Sequence, residues 1–374
     1  MEEHVRERYA KGAEAVEPQL CCPVDYDSGL LAMLPQEIID KDYGCGDPSR
    51  YVKPGDTVLD LGSGGGKICY MAAQLTGPGG RVVGVDMNDT MLALARKYQG
   101  EIAEKLGEDR VRFCKGRIQD LDLDLDQVAA YLEAHPITDL ASLDAYRSWQ
   151  AETCRERPMI ASESVDLVVS NCVLNLVDDH QKKRLVEEIY RVVRPGGRVA
   201  ISDIVSDAEV PESLRQDAHL WSGCISGAFE ERAFVEAFRQ AGFVGVTYDK
   251  WDPQPWQVVE GIEFRSATLT AVKQPLARQT ERGHAVIYRG PFAEVRDELG
   301  NIFPAGVRIA VSEELFRRLQ DGVFAESLIF LEPAKALLPT PFTAPPGTER
   351  PASVTRGGAI IDPGATCTPG GGCC

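Results

Sequence analysis

Residues 57–67, TVLDLGSGGGK, limit what this chain can fold into more than any other stretch. Val58, Leu59 and Leu61 read as a buried strand, the glycines interrupt it, and Ile68, Cys69, Met71 and Ala72 carry the pattern on as a helix. A strand that turns through glycines into a helix is the binding corner of an open α/β sheet, because backbone N–H groups and a helix N-terminus converge there on the crevice beyond the strand ends. The glycines stand at Gly62, Gly64, Gly65 and Gly66, so the dinucleotide spacing G-x-G-x-x-G fails at Lys67. The run fits acidic-x-G-x-G-x-G, from Asp60 to Gly66. The next apolar run, residues 81–85, ends at Asp86, a carboxylate placed to accept hydrogen bonds from both ribose hydroxyls of a nucleoside.

Around this corner the chain alternates strands and helices. Residues 91–106 carry apolar side chains at helical spacing, and residues 111–113 start a third strand. Residues 165–170 return to the sheet, a helix over 178–193 stops at Arg194-Pro195-Gly196-Gly197, and a strand follows at 198–202. This is the back half of a Rossmann-like, doubly wound sheet, with 244–248 as a late strand. Residues 121–162 read as an insertion with two helical pieces, and we favour a solvated excursion over a lid.

Four segments result: a cysteine-bearing N-terminal cover (1–50), a nucleotide domain (51–249), a small α+β appendage (250–332) and a tail rich in Pro, Gly and Thr (333–374), expected to be flexible and to end in Cys373-Cys374.

The 374 residues carry a formal charge of −17, which repels phosphate backbones, and no basic stripe is interleaved with aromatics, so nucleic acid is excluded as a substrate class. No apolar run reaches membrane-spanning length and no signal core opens the chain, so a cytoplasmic protein without a membrane partner is expected. A monomer is the working expectation, although no residue pattern decides the oligomeric state. Eleven cysteines in such a compartment are more often metal-binding, catalytic or buried than disulfide-bonded. Cys45 lies upstream of the first strand, Cys172 leaves the tip of a central strand, and Cys224 sits in a glycine-flanked loop after a later one. All three belong on the ligand face of one sheet, and three convergent thiolates suit a soft, thiophilic ion.

Taken together, YGCGDP at 43–48, DLGSGGG at 60–66, GVDM at 84–87, SNCVLNLV at 170–177, FRSATLTAVK at 264–273 and the closing GGGCC resemble the arsenite S-adenosylmethionine (SAM) methyltransferases. The resemblance implies a cytosolic detoxification enzyme that methylates As(III), with the appendage as an arsenic-associated domain. It implies As(III) ligands at Cys45, Cys172 and Cys224, and a redox cysteine at Cys21 or Cys22, the tandem leaving both open. For SAM it points to Tyr43, Asp60, Gly62, Ser63, Gly64, Asp86, Met87 and Asn171, with Ile118 and Gln119 flanking the adenine. A thiol reductant, thioredoxin or glutathione, is the implied co-substrate.

Thiolate-bound As(III) keeps a lone pair, so methylation needs alignment with an electrophilic methyl and no proton removal. That agrees with the want of a His/Asp base near the motifs; His180 reads as helix-start structure. Each methylation oxidises arsenic by two electrons, which a cysteine pair, Cys45 with Cys21 or Cys22, can return. Two rivals remain: a SAM methyltransferase for a small organic acceptor, and a thiol-rich metalloid-binding protein.

Overall fold

Every strand of the central sheet that flanks the glycine corner is buried on both faces, which is why these segments read as continuous apolar runs rather than as an alternation. The structure, a computed structural model, describes residues 2–15, 17, 24–274, 279–297, 299–322, 324–335 and 337–357. Cys21, Cys22, Cys367, Cys373 and Cys374 lie outside the described residues. Strands β1 (Thr57–Leu61), β2 (Arg81–Asp86), β3 (Val111–Lys115), β4 (Val165–Asn171) and β5 (Val193–Ser206) pair in parallel in the order β3-β2-β1-β4-β5. Side chains alternate between faces. Val58, Leu167 and Val169 enter one core with Ile68, Tyr70 and Met71, whereas Leu59, Leu61 and Val168 enter a second with Leu185, Val186 and Ile189.

Two further long strands, β6 (Phe243–Trp251) and β7 (Ile262–Lys273), extend the sheet, and the short strands Phe229–Glu230 and Gln257–Val259 pair with β5 and β7 to bring it to nine. β7 runs antiparallel to β5, with Arg198 opposite Val272 and Ser206 opposite Phe264, and β6 lies outside β7. This corrects the expected boundary at 249: β7 belongs to the main sheet, and the chain divides into compact units Met1–Pro275 and Leu276–Cys374. The later strand is inserted between two earlier ones, and sequence order alone carries no sign of that.

Among the helices of the first unit are α1 (Glu2–Glu14), α2 (Lys67–Thr76), α3 (Asp89–Lys97), α4 (Leu125–Ala134), α5 (Leu140–Glu156), α6 (Asp179–Val192) and α7 (Ala218–Ser222). α1 is fastened at several points: the Arg8 guanidinium donates to His219 O (3.0 Å) and Ser222 Oγ (2.9 Å), and Asn88 Nδ2 donates to Arg6 O (2.9 Å). α4 and α5 form the 121–162 insertion, joined by Tyr131 stacked on Trp149 at 4.2 Å. Its root is a short backbone pairing, Met159 N to Asp122 O and Ile160 N to Leu121 O, both 2.9 Å.

In the second unit, Ala285–Tyr288 pairs with Arg308–Ala310 and Leu328–Leu331, and the helix Glu313–Gln320 contributes Leu315 and Phe316 to its core. In the tail expected to be flexible from 333, residues 337–357 carry regular contacts. Thr340–Pro341 pairs with Thr280–Glu281, Ala310 N donates to Thr348 O (2.8 Å), and Arg350 grips both carboxylate oxygens of Glu281 at 2.9 Å. Composition understated the order here because main-chain pairing, rather than a packed core, holds the segment. Among the described residues, no helix is long and apolar enough to cross a membrane.

Candidate active site

The order of parallel strands reverses between β1 and β4, and it is beyond the ends of such strands that an open sheet offers its crevice. The glycine corner opens there. Gly62 N and Ser63 N both donate to Val85 O (2.8 and 3.1 Å), so the chain stays pinned to β2 while it turns. Gly62 has φ +72°, and a Cβ on it would lie 2.4 Å from a Val173 methyl, so only glycine fits between the β1 turn and the segment leaving β4. Gly64, at φ +51°, donates its N–H to Asp86 Oδ2 (2.8 Å).

Beyond these turns lies a cavity of about 330 Å³. Tyr43, Asp60, Gly62, Ser63, Gly64, Asp86, Met87, Ile118, Gln119, Asn171 and Cys172 all line it, so every SAM residue named from the sequence reaches one space. The wall also holds Tyr9 of α1 and Asp42, whereas the 121–162 insertion contributes nothing to it. The cavity suits SAM on three observations. Ser63 Oγ is buried with no partner, a Cβ on Gly64 would meet no protein atom within 4 Å, and the Asp60 and Asp86 carboxylates offer a cationic ligand countercharge.

Burial pushes the Asp60 carboxyl up to about 7, helped by the nearby Asp42 and Asp86 charges and opposed by the hydrogen bond from Cys69 Sγ (3.2 Å). Burial likewise raises Asp86, against the N–H groups of Asn88 and Gly64 that hold its anion. Ile118 and Gln119 sit in the wall beyond β3, and Gln119 Nε2 donates to Gln181 Oε1 (2.7 Å). Tyr43 O–H donates to Gly12 O (2.9 Å), which ties the cavity wall to α1.

Asn171 lines the cavity, but its amide is engaged elsewhere. Oδ1 accepts the Cys45 and Gly46 N–H groups (2.9 and 3.0 Å), and Nδ2 donates to Gly46 O (2.8 Å) and Tyr26 O–H (3.1 Å). The side chain at the tip of β4 thus carries the YGCG segment across the sheet. On the same network Lys67 pairs with Asp42 at 2.5 Å, with its ammonium 3.5 Å from the centroid of the Tyr26 ring. None of Asp42, Tyr26 and Lys67 was singled out from the sequence, although a lysine ending the glycine run where an apolar helix begins was a visible anomaly.

The three cysteines named from the sequence pack into one buried cluster with Ile204, Ile225 and Phe264. Cys45 is 1%, Cys172 5% and Cys224 4% exposed, so each thiol sits away from bulk water. Ser266 Oγ of β7 donates to Cys45 O (2.7 Å), and Cys224 Sγ donates to Cys172 O (3.1 Å). Cys172 and Cys224 both have φ +62°, two of the four non-glycine residues with positive φ among the described residues. Such conformations persist only where the surroundings enforce them, and they gather at functional sites.

A carboxylate unforeseen from the sequence joins this cluster. Cys45 Sγ, Cys172 Sγ and an oxygen of Asp203 lie within 4.8 Å of one another, all buried. Asp203 accepts from Leu174 N (2.9 Å), Asn175 Nδ2 (2.8 Å) and Ile204 N (2.8 Å), while burial raises its carboxyl to about 6. Tyr9 of α1 reaches the same place: burial raises its phenol, helped by Cys224 and Cys172 beside it. Cys69 and Cys114 are core residues and Cys154 is half-buried on α5, whereas His180 is exposed in the first turn of α6, the helix-start position read from the sequence.

This sheet, its nucleotide cavity and a family profile described as "Methyltransferase domain" over residues 52–142 and 149–242 define a SAM-dependent methyltransferase. The arsenite methyltransferase of Aquipseudomonas alcaligenes is 31% identical over 88% of this chain and 91% of its own length, and that of Mus musculus is 32% identical over 82% and 74%. The solved arsenic(III) S-adenosylmethionine methyltransferase from Chlamydomonas reinhardtii, 26% identical, superposes with a TM-score of 0.57 over 86% of this chain and 100% of that one. The chain belongs to the arsenite methyltransferase family. Residues 276–360 match a second profile, described as a domain of unknown function.

Proposed function

We propose that the chain transfers the methyl group of SAM to trivalent arsenic held by Cys45, Cys172 and Cys224. One observation carries the reading: Cys172 lines the nucleotide cavity and also belongs to the buried thiol cluster, so donor and acceptor sites share a wall. SAM, when bound, supplies an electrophilic methyl on a sulfonium. Gly62, Ser63, Gly64, Asp86 and Met87 are suited to hold its ribose side, Ile118 and Gln119 its base, and Tyr43 and Asp60 its amino-acid end.

The residues around arsenic have a different task. Three thiolates leave As(III) neutral with its lone pair free, and the left-handed turns at Cys172 and Cys224 hold the backbone that carries two of the sulfurs. Alignment of that lone pair with the methyl supplies much of the acceleration in a displacement that needs no base. After transfer arsenic is pentavalent. A thiolate then attacks the sulfur of one arsenic-bound cysteine, and the electron pair of the broken S–As bond stays on arsenic, giving trivalent methylarsenic and a disulfide. We assign that disulfide to Cys45 with Cys21 or Cys22, reopened by exchange with thioredoxin or glutathione in a reducing cytoplasm.

The test is chromatography of arsenic species after incubation with SAM, arsenite and thiols. Wild type forms methylated arsenicals; Cys172→Ser and Cys224→Ser lose the first methylation, and full activity in either would sink the assignment. Methyl transfer that proceeds without arsenite would point to an organic acceptor. As(III) binding with no methylated product would point to a metalloid-binding protein.

A further inference from the structure

We propose that Asp203 is the countercharge for the positive charge that arsenic acquires during methyl transfer. The inference rests on the reading that Cys45, Cys172 and Cys224 hold arsenic, and it adds to that site a residue with an electrostatic task.

Charge balance sets the requirement. Arsenic held by three thiolates is neutral. Its lone pair forms the As–C bond, the S–C bond of the donor breaks with its pair left on sulfur, and the donor leaves neutral. The positive charge carried in on sulfur therefore ends on arsenic, inside a cluster built from Ile204, Val210, Leu214, Ile225 and Phe264. A charge developing in so apolar a place needs a fixed opposite charge near it, and a group already oriented supplies this without reorganisation.

Asp203 meets that requirement by its position. A carboxylate oxygen lies within 4.8 Å of both Cys45 Sγ and Cys172 Sγ, and the residue is 1% exposed. Its oxygens receive the N–H groups of Leu174, Asn175 and Ile204 and the Asn175 amide, a set of donors that matches an acceptor-only anion. Because the donors come from the turn after Cys172 and from Asp203's own neighbour, the charge is fixed relative to the sulfur. The same contacts brace the turn, so the test must separate bracing from charge.

Two quantities are measured on the full chain: the Kd for As(III) without SAM, and the single-turnover rate of methylarsenic formation at saturating As(III) and SAM. For Asp203→Asn, whose amide nitrogen can no longer accept the two N–H groups aimed at one of the oxygens, we expect As(III) affinity to fall no further than in Asn175→Ala, and the saturated rate to fall on the order of 10²-fold. Asn175→Ala removes one brace and keeps the charge; it should weaken As(III) binding while the saturated rate stays within about threefold. Asp203→Glu, which retains the charge, should keep the saturated rate within about tenfold of wild type, and because it is read against wild type it decides the matter where Asp203→Asn does not fold. Parallel falls in affinity and rate for Asp203→Asn, an unchanged rate, or a glutamate variant slower than that bound would each overturn the proposal. Failure of the site reading looks different: Cys172→Ser would then bind As(III) as tightly as wild type.

Discussion

Asn171 and Cys45 are 126 residues apart, and the side-chain carbonyl of the first accepts the backbone N–H of the second at 2.9 Å. This bond, with its companion to Gly46, brings an N-terminal cysteine over the tip of a central strand. Asn171→Ala leaves those N–H groups and Gly46 O without their partner. We expect a loss of about 1–3 kcal/mol in stability. As(III) affinity should fall more than SAM affinity, which paired titrations of the two ligands would measure.

Asp60 gives SAM binding a pH dependence. Its carboxyl, raised to about 7 in the ligand-free protein, is largely neutral at pH 6 and ionised at pH 8, and a cationic ligand favours the anion. SAM affinity should therefore increase from pH 6 to 8. Asp60→Asn should flatten that slope, as calorimetry across the range would reveal.

The contact between Gly62 and Val173 couples the two halves of the site. Gly62→Ala drives a Cβ to within 2.4 Å of a Val173 methyl, beside Cys172, so both SAM and As(III) binding should weaken, with about 1–3 kcal/mol lost to overpacking. Adding Val173→Ala removes the two methyls in the way. A double-mutant cycle should show a coupling above about 0.5 kcal/mol.

Lys67 and Asp42 form an ion pair with side chains 5% and 19% exposed. Lys67→Met strands the carboxylate and should cost on the order of 3 kcal/mol in thermal or urea denaturation, whereas Lys67→Met with Asp42→Leu should cost far less. Equal losses in the two would show that the pair acts only through packing of the lysine stem.

The strand, glycine turn and helix at residues 57–76 and the acid ending β2 were legible because local pattern dictates them: apolar runs, positive-φ turns and a strand-end carboxylate. That Cys45, Cys172 and Cys224 share one buried cluster was legible, since each stands at a strand tip or in a loop on the ligand face, whereas the pairing of Cys45 and Cys172 with a carboxylate, rather than with Cys224, within 4.8 Å was not. Three features were hidden for physical reasons. β7 pairs between two earlier strands, a long-range choice that its own residues do not encode. Asp203 sits inside β5 in an apolar run, where its role depends on a turn contributed by β4. Asn171 is named readily as a wall residue, but its hydrogen bonds to Cys45 and Gly46 depend on a segment from the other end of the domain. The order of residues 337–357 was missed because Pro- and Gly-rich composition says little about a chain held by backbone pairing.

The left-handed turns at Cys172 and Cys224 set foldability against chemistry. Glycine adopts φ +62° without the penalty of about 1–3 kcal/mol that a side chain incurs, so the substitutions most comfortable for the backbone are the ones that delete the sulfur. If Cys172 and Cys224 hold arsenic as proposed, drift toward a more stable chain at these two positions would lead away from it.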